Sequence, residues 1–125
     1  MITAAGAPAA VAAYSHAVRH GDVLYCSGQI ALDPDAGDLV GDSAAEQTDR
    51  CLRNLEAVCG ASGTGLNRAL RLTIYTTAMD EFAAINEVYA GFFVDAPPAR
   101  AAVGVTSLPR GAAVMIDAIV AVGAK

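Results

Sequence analysis

The C-terminal stretch from Pro97 to Val122 holds the pattern that most constrains the fold. Val114, Ile116, Ala118, Val120 and Val122 alternate with Met115, Asp117, Ile119 and Ala121. A period of two is the mark of a β-strand, whose successive side chains point to opposite faces of a sheet. A second strand precedes it, running through small apolar residues from Ala101 to Val105, and the turn Leu108-Pro109-Arg110-Gly111 joins the two. Pro97-Pro98 forces an extended entry, because a residue before proline is pushed out of the helical region. Arg100 is the first cation on that strand. Its fork of donors matches a carboxylate bidentately, so a small carboxylic acid is one candidate guest. The other reading is an edge arginine that reaches solvent or pairs with one of the chain's acids. The pattern alone leaves both open.

Upstream, Tyr14 to Val18 reads as a short strand, and Val23 to Gly28 as a clearer one, entered through the turn His20-Gly21-Asp22 and continuing through Gln29 and Ile30 towards Asp33. Residues 1 to 12 read as an irregular lead-in. Ser43 with Glu46 three residues on is a capping-box signature, and Thr48, Leu52, Leu55 and Cys59 then recur at helical spacing. Arg50, Arg53, Asn54 and Glu56 are expected to lie largely away from that face, and Gly60 to stop the helix. Leu70, Leu72 and Ile74 alternate with Arg71, Thr73 and Tyr75 as a strand with one buried face. A second helix is predicted from about Asp80, with Phe82, Ile85, Tyr89 and Phe92 inward and Asn86 beside the stripe. The order β-β-(β)-α-β-α-β-β predicts one mixed sheet with both helices on one face. The other face then needs a cover, which another subunit would supply most simply.

A chain of 125 residues is one domain, 1-125, with room for a real core. The net charge of −5 speaks against nucleic acid, whose phosphates need clustered Lys and Arg. There is no uninterrupted apolar run long enough to span a bilayer and no basic n-region before Pro8, so neither a membrane partner nor a secretory signal is expected. Cys26, Cys51 and Cys59 share no metal or redox spacing and read as reduced, buried thiols of a cytoplasmic protein. Cys26 reads as a small strand residue, since nothing nearby in sequence would lower its pKa. His16 and His20 are four apart but straddle a turn with no cluster to complete a shell, so no metal and no cofactor are expected. Nucleophile-elbow, phosphate-loop and zinc-protease motifs are absent. What remains is a set of polar residues at element ends: Tyr14, His16, Ser27, Gly28, Gln29, Asn86 and Arg100. One cation among neutral hydrogen-bonding groups suits a small carboxylate better than a nucleophilic mechanism.

Taken in order, these pieces resemble the RidA/YjgF family over nearly the whole chain. The resembling segments are Ala7-Pro8-Ala9-Ala10 leading to Tyr14-Ser15-His16-Ala17-Val18, Cys26-Ser27-Gly28-Gln29-Ile30, and Ile85-Asn86-Glu87-Val88-Tyr89 with Phe92-Phe93. Pro98-Ala99-Arg100-Ala101-Ala102-Val103, Leu108-Pro109-Arg110-Gly111 and Ile116-Asp117-Ala118-Ile119 complete the series. The resemblance implies an α+β, chorismate-mutase-like fold that forms a homotrimer around a sheet-lined core, with clefts between subunits. It implies hydrolytic deamination of enamines and imines such as 2-aminoacrylate, as by a 2-iminobutanoate/2-iminopropanoate deaminase. The family's carboxylate-binding arginine falls on Arg100, its cleft tyrosine on Tyr14, its Ser-Gly pair on Ser27 and Gly28, and its helix asparagine on Asn86.

Three departures bear on activity. The glutamate thought to hold the attacking water is replaced by Met115, and only the second acid of the last strand remains, as Asp117, about 7 Å further along. A thioether cannot polarise water as a carboxylate does. Gln is usual where His16 stands, and His16 could supply acid-base function instead. Ala101 and Ala102 leave more room than bulkier residues would. The expectations are therefore an imine deaminase, a specialised relative acting on another intermediate, or a non-catalytic trimer that binds small metabolites or protein partners.

Overall fold

The computed structural model describes residues 2–10 and 14–123. Of the lead-in read for residues 1 to 12, Met1, Val11 and Ala12 lie outside the described residues. Five strands and two α-helices follow in chain order: β1 (Ala17–His20), β2 (Val23–Ile30), α1 (Ala44–Ala61), β3 (Ala69–Thr76), α2 (Phe82–Phe92), β4 (Ala99–Gly104) and β5 (Val114–Ala121). The sheet order is β1-β2-β5-β3-β4, antiparallel throughout except for the parallel β3–β4 pair. A parallel pair needs a crossover, and α2 supplies it.

Both helices lie on one face of this mixed sheet, as predicted. α1 packs on β2 and β5 with Thr48, Leu52, Leu55 and Cys59 fully buried, and α2 packs against α1. The alternation of the last strand is realised in full: Val114, Ile116, Ala118, Val120 and Val122 are buried under the helices. Ser43 caps α1, its Oγ accepting from the Glu46 amide at 3.1 Å. The opposite face of the sheet carries Val18, Tyr25 and Val103 well exposed among half-buried Thr73, Tyr75, Met115, Asp117 and Ile119. Among the described residues no helix is long and apolar enough to cross a membrane.

Several expectations need correction. The first strand begins at Ala17 rather than Tyr14, because the chain bends at His16, and the parenthetical third strand does not form. Residues 31–42 make a loop closed by an isolated Leu32–Leu39 bridge. Gly60 does not stop α1, which runs on to Ala61 and is capped by Ser62. Leu70 is 49% exposed rather than buried, because it is the extra residue of a bulge between Ala69 and Arg71. The last two strands are consecutive in chain but not neighbours, since β3 lies between them. Asn54, expected to face away, is fully buried. Its Nδ2 donates to Ile30 O at 3.2 Å and Leu32 O at 3.1 Å, where β2 leaves the sheet. Cys26 does have a neighbour that acts on its thiol. Cys59 is buried in the same core, and its thiol lowers the Cys26 pKa against the opposing effect of burial.

Candidate functional site

The residues singled out in the sequence fall into two separate groups. Arg100 lies on the edge strand β4, paired with Leu72, so its side chain rises on the helical face. There Nη1 donates to Asn86 Oδ1 at 2.6 Å. The guanidinium sits 5.3 Å from the centre of the Phe82 ring and 4.9 Å from that of Tyr89, within cation–π range. Phe82, Asn86 and Tyr89 follow one another at spacings of four and three, so one stripe of α2 presents all three to β4. Arg100 has no acidic partner within salt-bridge distance among the described residues. Asn86, Tyr89, Phe93, Pro97 and Pro98 line a recess beside it. The two aromatic partners were read from sequence as core alone; their helical register with Asn86 was the signal for more.

Tyr89 carries a further feature. Its hydroxyl is buried and has no hydrogen-bond partner among the described residues. Burial raises its pKa, and the Arg100 charge works the other way. Tyr89→Phe should therefore leave stability unchanged or raise it by up to about 1 kcal/mol, because it removes an unpaired buried group and keeps the ring. Urea denaturation reads this directly, and a loss of more than about 1 kcal/mol would reveal a partner for the hydroxyl.

Tyr14, Ser27, Gly28 and Met115 form the second group, around a cavity of about 600 Å³. Between Cys26 and Gln29 the register of β2 against β5 shifts, so that Ser27 and Gly28 together oppose Asp117 alone. The bulge explains the glycine. A Cβ at Gly28 would stand 3.0 Å from Met115 Sδ, so the methionine lies across this backbone. Ser27 Oγ donates to Ser15 O at 2.6 Å and its amide to His16 O at 3.0 Å, which ties the bulge to the segment carrying Tyr14. Tyr14 is 48% exposed at the rim. Arg110, absent from the expected site, also lines the cavity. Its backbone is left-handed (φ 59°), and its Nη1 donates to Gly37 O at 3.1 Å across the mouth.

The other nominated residues stand elsewhere. His16 is buried, with Nδ1 accepting from the Ala4 amide at 2.8 Å and Nε2 donating to Pro8 O at 2.6 Å. Both ring nitrogens are committed, so the geometry pins the N-terminal segment and leaves neither nitrogen for a substrate proton. Asp117 lies on the open sheet face and lines a different recess with Tyr25, Arg71 and Thr73. Its Oδ2 accepts from Tyr75 Oη at 3.1 Å, and burial first, then the Asp117 charge, raises the Tyr75 pKa. Asp117 thus lines a recess apart from the cavity over Met115. Ala101 and Ala102 follow Arg100 on β4, paired with Thr73 and Ile74 on opposite faces.

Within one chain the two groups cannot meet. β4 and β2 are three strand spacings apart, about 14 Å. Arg100 rises on the helical face and Met115 on the open one.

A family model described as Endoribonuclease L-PSP matches residues 4–122. The chain belongs to the RidA/YjgF family. Among its RidA/YjgF relatives, the RutC family protein y4sK of Sinorhizobium fredii is 45% identical, over 91% of this chain and 90% of that protein. The 2-iminobutanoate/2-iminopropanoate deaminase of Mus musculus is 39% identical, over 98% and 91% respectively. The crystal structure of RidA from the Antarctic bacterium Psychrobacter sp. PAMC 21119 superposes with a TM-score of 0.92 at 37% identity, covering 97% of this chain and 98% of that one. The mixed sheet with two helices on one face is thus the RidA architecture.

Proposed function

We propose that this chain hydrolyses 2-imino acids and their enamine tautomers to 2-oxo acids and ammonia, in a cleft completed between two copies of a homotrimer. One observation carries the reading: Arg100 is held over two rings and by Asn86 with no acid beside it. A guanidinium oriented by a neutral amide and aromatic faces keeps donors free for a carboxylate. A structural edge arginine would be expected to take one of the chain's 13 acids. The kinship with mammalian proteins named imine deaminases supports the same chemistry.

The mechanism follows from what each half can supply. Arg100 of one copy binds the substrate carboxylate and orients the imine. The Ser27–Gly28 bulge and the Tyr14 hydroxyl of another copy face the reacting carbon. Water adds to that carbon to give a carbinolamine; a proton moves from the added oxygen to nitrogen, and ammonia leaves as the ketone forms. A protonated imine is already strongly electrophilic, so oriented water with no carboxylate base can suffice. The exposed sheet face bearing Val18, Tyr25 and Val103 is the surface the copies would bury. Met115 favours a second reading, a trimer that binds metabolites without turning them over, because its thioether cannot activate water. An RNA substrate finds no electrostatic support at a net charge of −5.

Subunit complementation tests the shared cleft. Arg100→Ala and Gly28→Leu should each be nearly inactive on imines generated by an amino-acid oxidase. Unfolded together and refolded at equal ratio, they should regain about a quarter of wild-type activity, because random assembly leaves that share of clefts with both halves intact. If folded variants regain nothing while wild type is active, the shared cleft is wrong. If wild type is inactive on every imine, the binder reading replaces the deaminase.

A further inference from the structure

We infer that the cavity over Met115 is a side-chain pocket that selects bulky apolar substrates, such as leucine- and phenylalanine-derived imines, over alanine- and glutamate-derived ones, with Met115 as the specificity-determining residue. The inference rests on the deaminase reading for the reacting centre, but the cavity itself belongs to the single chain. At about 600 Å³ it falls in the range of pockets that enclose drug-sized ligands, far more than a small imino acid fills. Its apolar lining is Pro8, Ile30, Leu32 and Pro109 over Met115, and Tyr14, Ser27 and Gln29 are the neutral polar side chains beside them. Of the two charged residues at its margin, Asp35 is exposed and Arg110 is turned across the mouth to Gly37 O.

The geometry assigns this space to the substrate's side chain. With the carboxylate on a neighbouring copy's Arg100 and the imine carbon at the Ser27–Gly28 bulge, the cavity is what remains for the third substituent. A methyl group there would leave much of the apolar wall without contact. A carboxylate would be stripped of water against largely apolar walls, with Asp35 at the margin opposing its charge. A branched or aromatic group displaces water from apolar surface, and a flexible thioether adapts to either shape. Met115 lies against Gly28, so its side chain borders the bulge and the pocket at once. A carboxylate at that position would place a hydrated charge on the pocket floor.

The test compares kcat/KM on imines formed by an oxidase from leucine, phenylalanine, alanine and glutamate. Wild type should favour the first two by about tenfold or more, the scale of a few methylenes in an apolar pocket. Met115→Glu and Met115→Gln, each checked by its melting curve, should bring the ratio close to one. In parallel, calorimetry on the wild-type protein should show 4-methyl-2-oxopentanoate binding about tenfold tighter than pyruvate, which requires no turnover. Equal rates and equal affinities across side chains would overturn the pocket while leaving the deaminase reading intact. A preference that survives both substitutions would overturn the role of Met115. Loss of turnover on every imine with the affinity preference retained would instead remove the deaminase reading and keep the pocket.

Discussion

Arg100→Ala is expected to lower kcat/KM for imine hydrolysis by roughly two to three orders of magnitude with little effect on the fold. The loss follows from removing one partner of a hydrogen-bonded charge pair, which costs about 2–5 kcal/mol of binding free energy. The carboxylate is remote from the bond being broken and is held alike before and during reaction, so most of the loss should appear in KM. Stability should barely move. Arg100 is exposed on an edge strand, and its contacts over Phe82 and Tyr89 are worth about 0.5–1 kcal/mol at such a site. Arg100→Lys keeps the charge but loses the planar fork and the stacking, so it should fall between wild type and alanine. Steady-state kinetics with an oxidase-coupled assay, set beside a melting curve, separates the two effects. Activity within about threefold of wild type for Arg100→Ala would sink the carboxylate assignment.

Asn54→Ala is expected to destabilise the chain by about 2–3 kcal/mol, a fall in Tm on the order of 10 °C for a domain of this size. Asn54 is 0% exposed and joins three elements through one amide. Nδ2 donates to the carbonyls of Ile30 and Leu32, and Oδ1 accepts from Arg50 Nε at 3.1 Å. Truncation leaves two carbonyls without that donor and opens a void beside them. Arg53, one residue earlier, provides the contrast. It pairs with Asp49 at 2.8 Å on the exposed side of α1, and Arg53→Ala should cost about 0.5 kcal/mol or less. Urea denaturation of the two variants side by side reads the difference. A loss below about 1 kcal/mol at Asn54 would mean that water replaces the amide and that the site is less sealed than it stands.

Asn54 also marks a limit of reading the chain from its sequence. Periodicity identifies which apolar residues face inward, and so Leu52, Leu55, Ile116 and Val120 were all legible. It cannot identify a polar residue buried to serve a main-chain segment some 20 residues away. Leu70 was misread for a related reason. Alternation assumes an unbroken ladder, and a single extra residue at a bulge inverts the faces beyond it. The candidate site was legible as a set of residues but not as an arrangement. The order of strands in a sheet is not their order in the chain, so nothing in the sequence pattern placed Arg100 at the far edge from Gly28 or on the opposite face from Met115. Nor did it show that Asn86 comes with two rings, although their spacing along α2 was in view. His16 was read as a possible acid-base group because its type suits that task; the two backbone groups that occupy its nitrogens come from a lead-in with no periodicity to read.

The link from Arg110 to Gly37 has a consequence for how such a chain can change. Beneath it, the bulge of β2 and the floor on β5 are fixed by ladder register and cannot shift without disturbing the core. On this side the rim is two surface turns joined by one hydrogen bond, and surface turns tolerate insertion and substitution far better than strands do. The sheet thereby fixes where the bulge and Met115 stand, and the turns set how wide the mouth opens. A lineage could lengthen the turn at 33–37, or replace Arg110 and free the left-handed position, and so admit a new guest without altering the residues over which the reaction takes place.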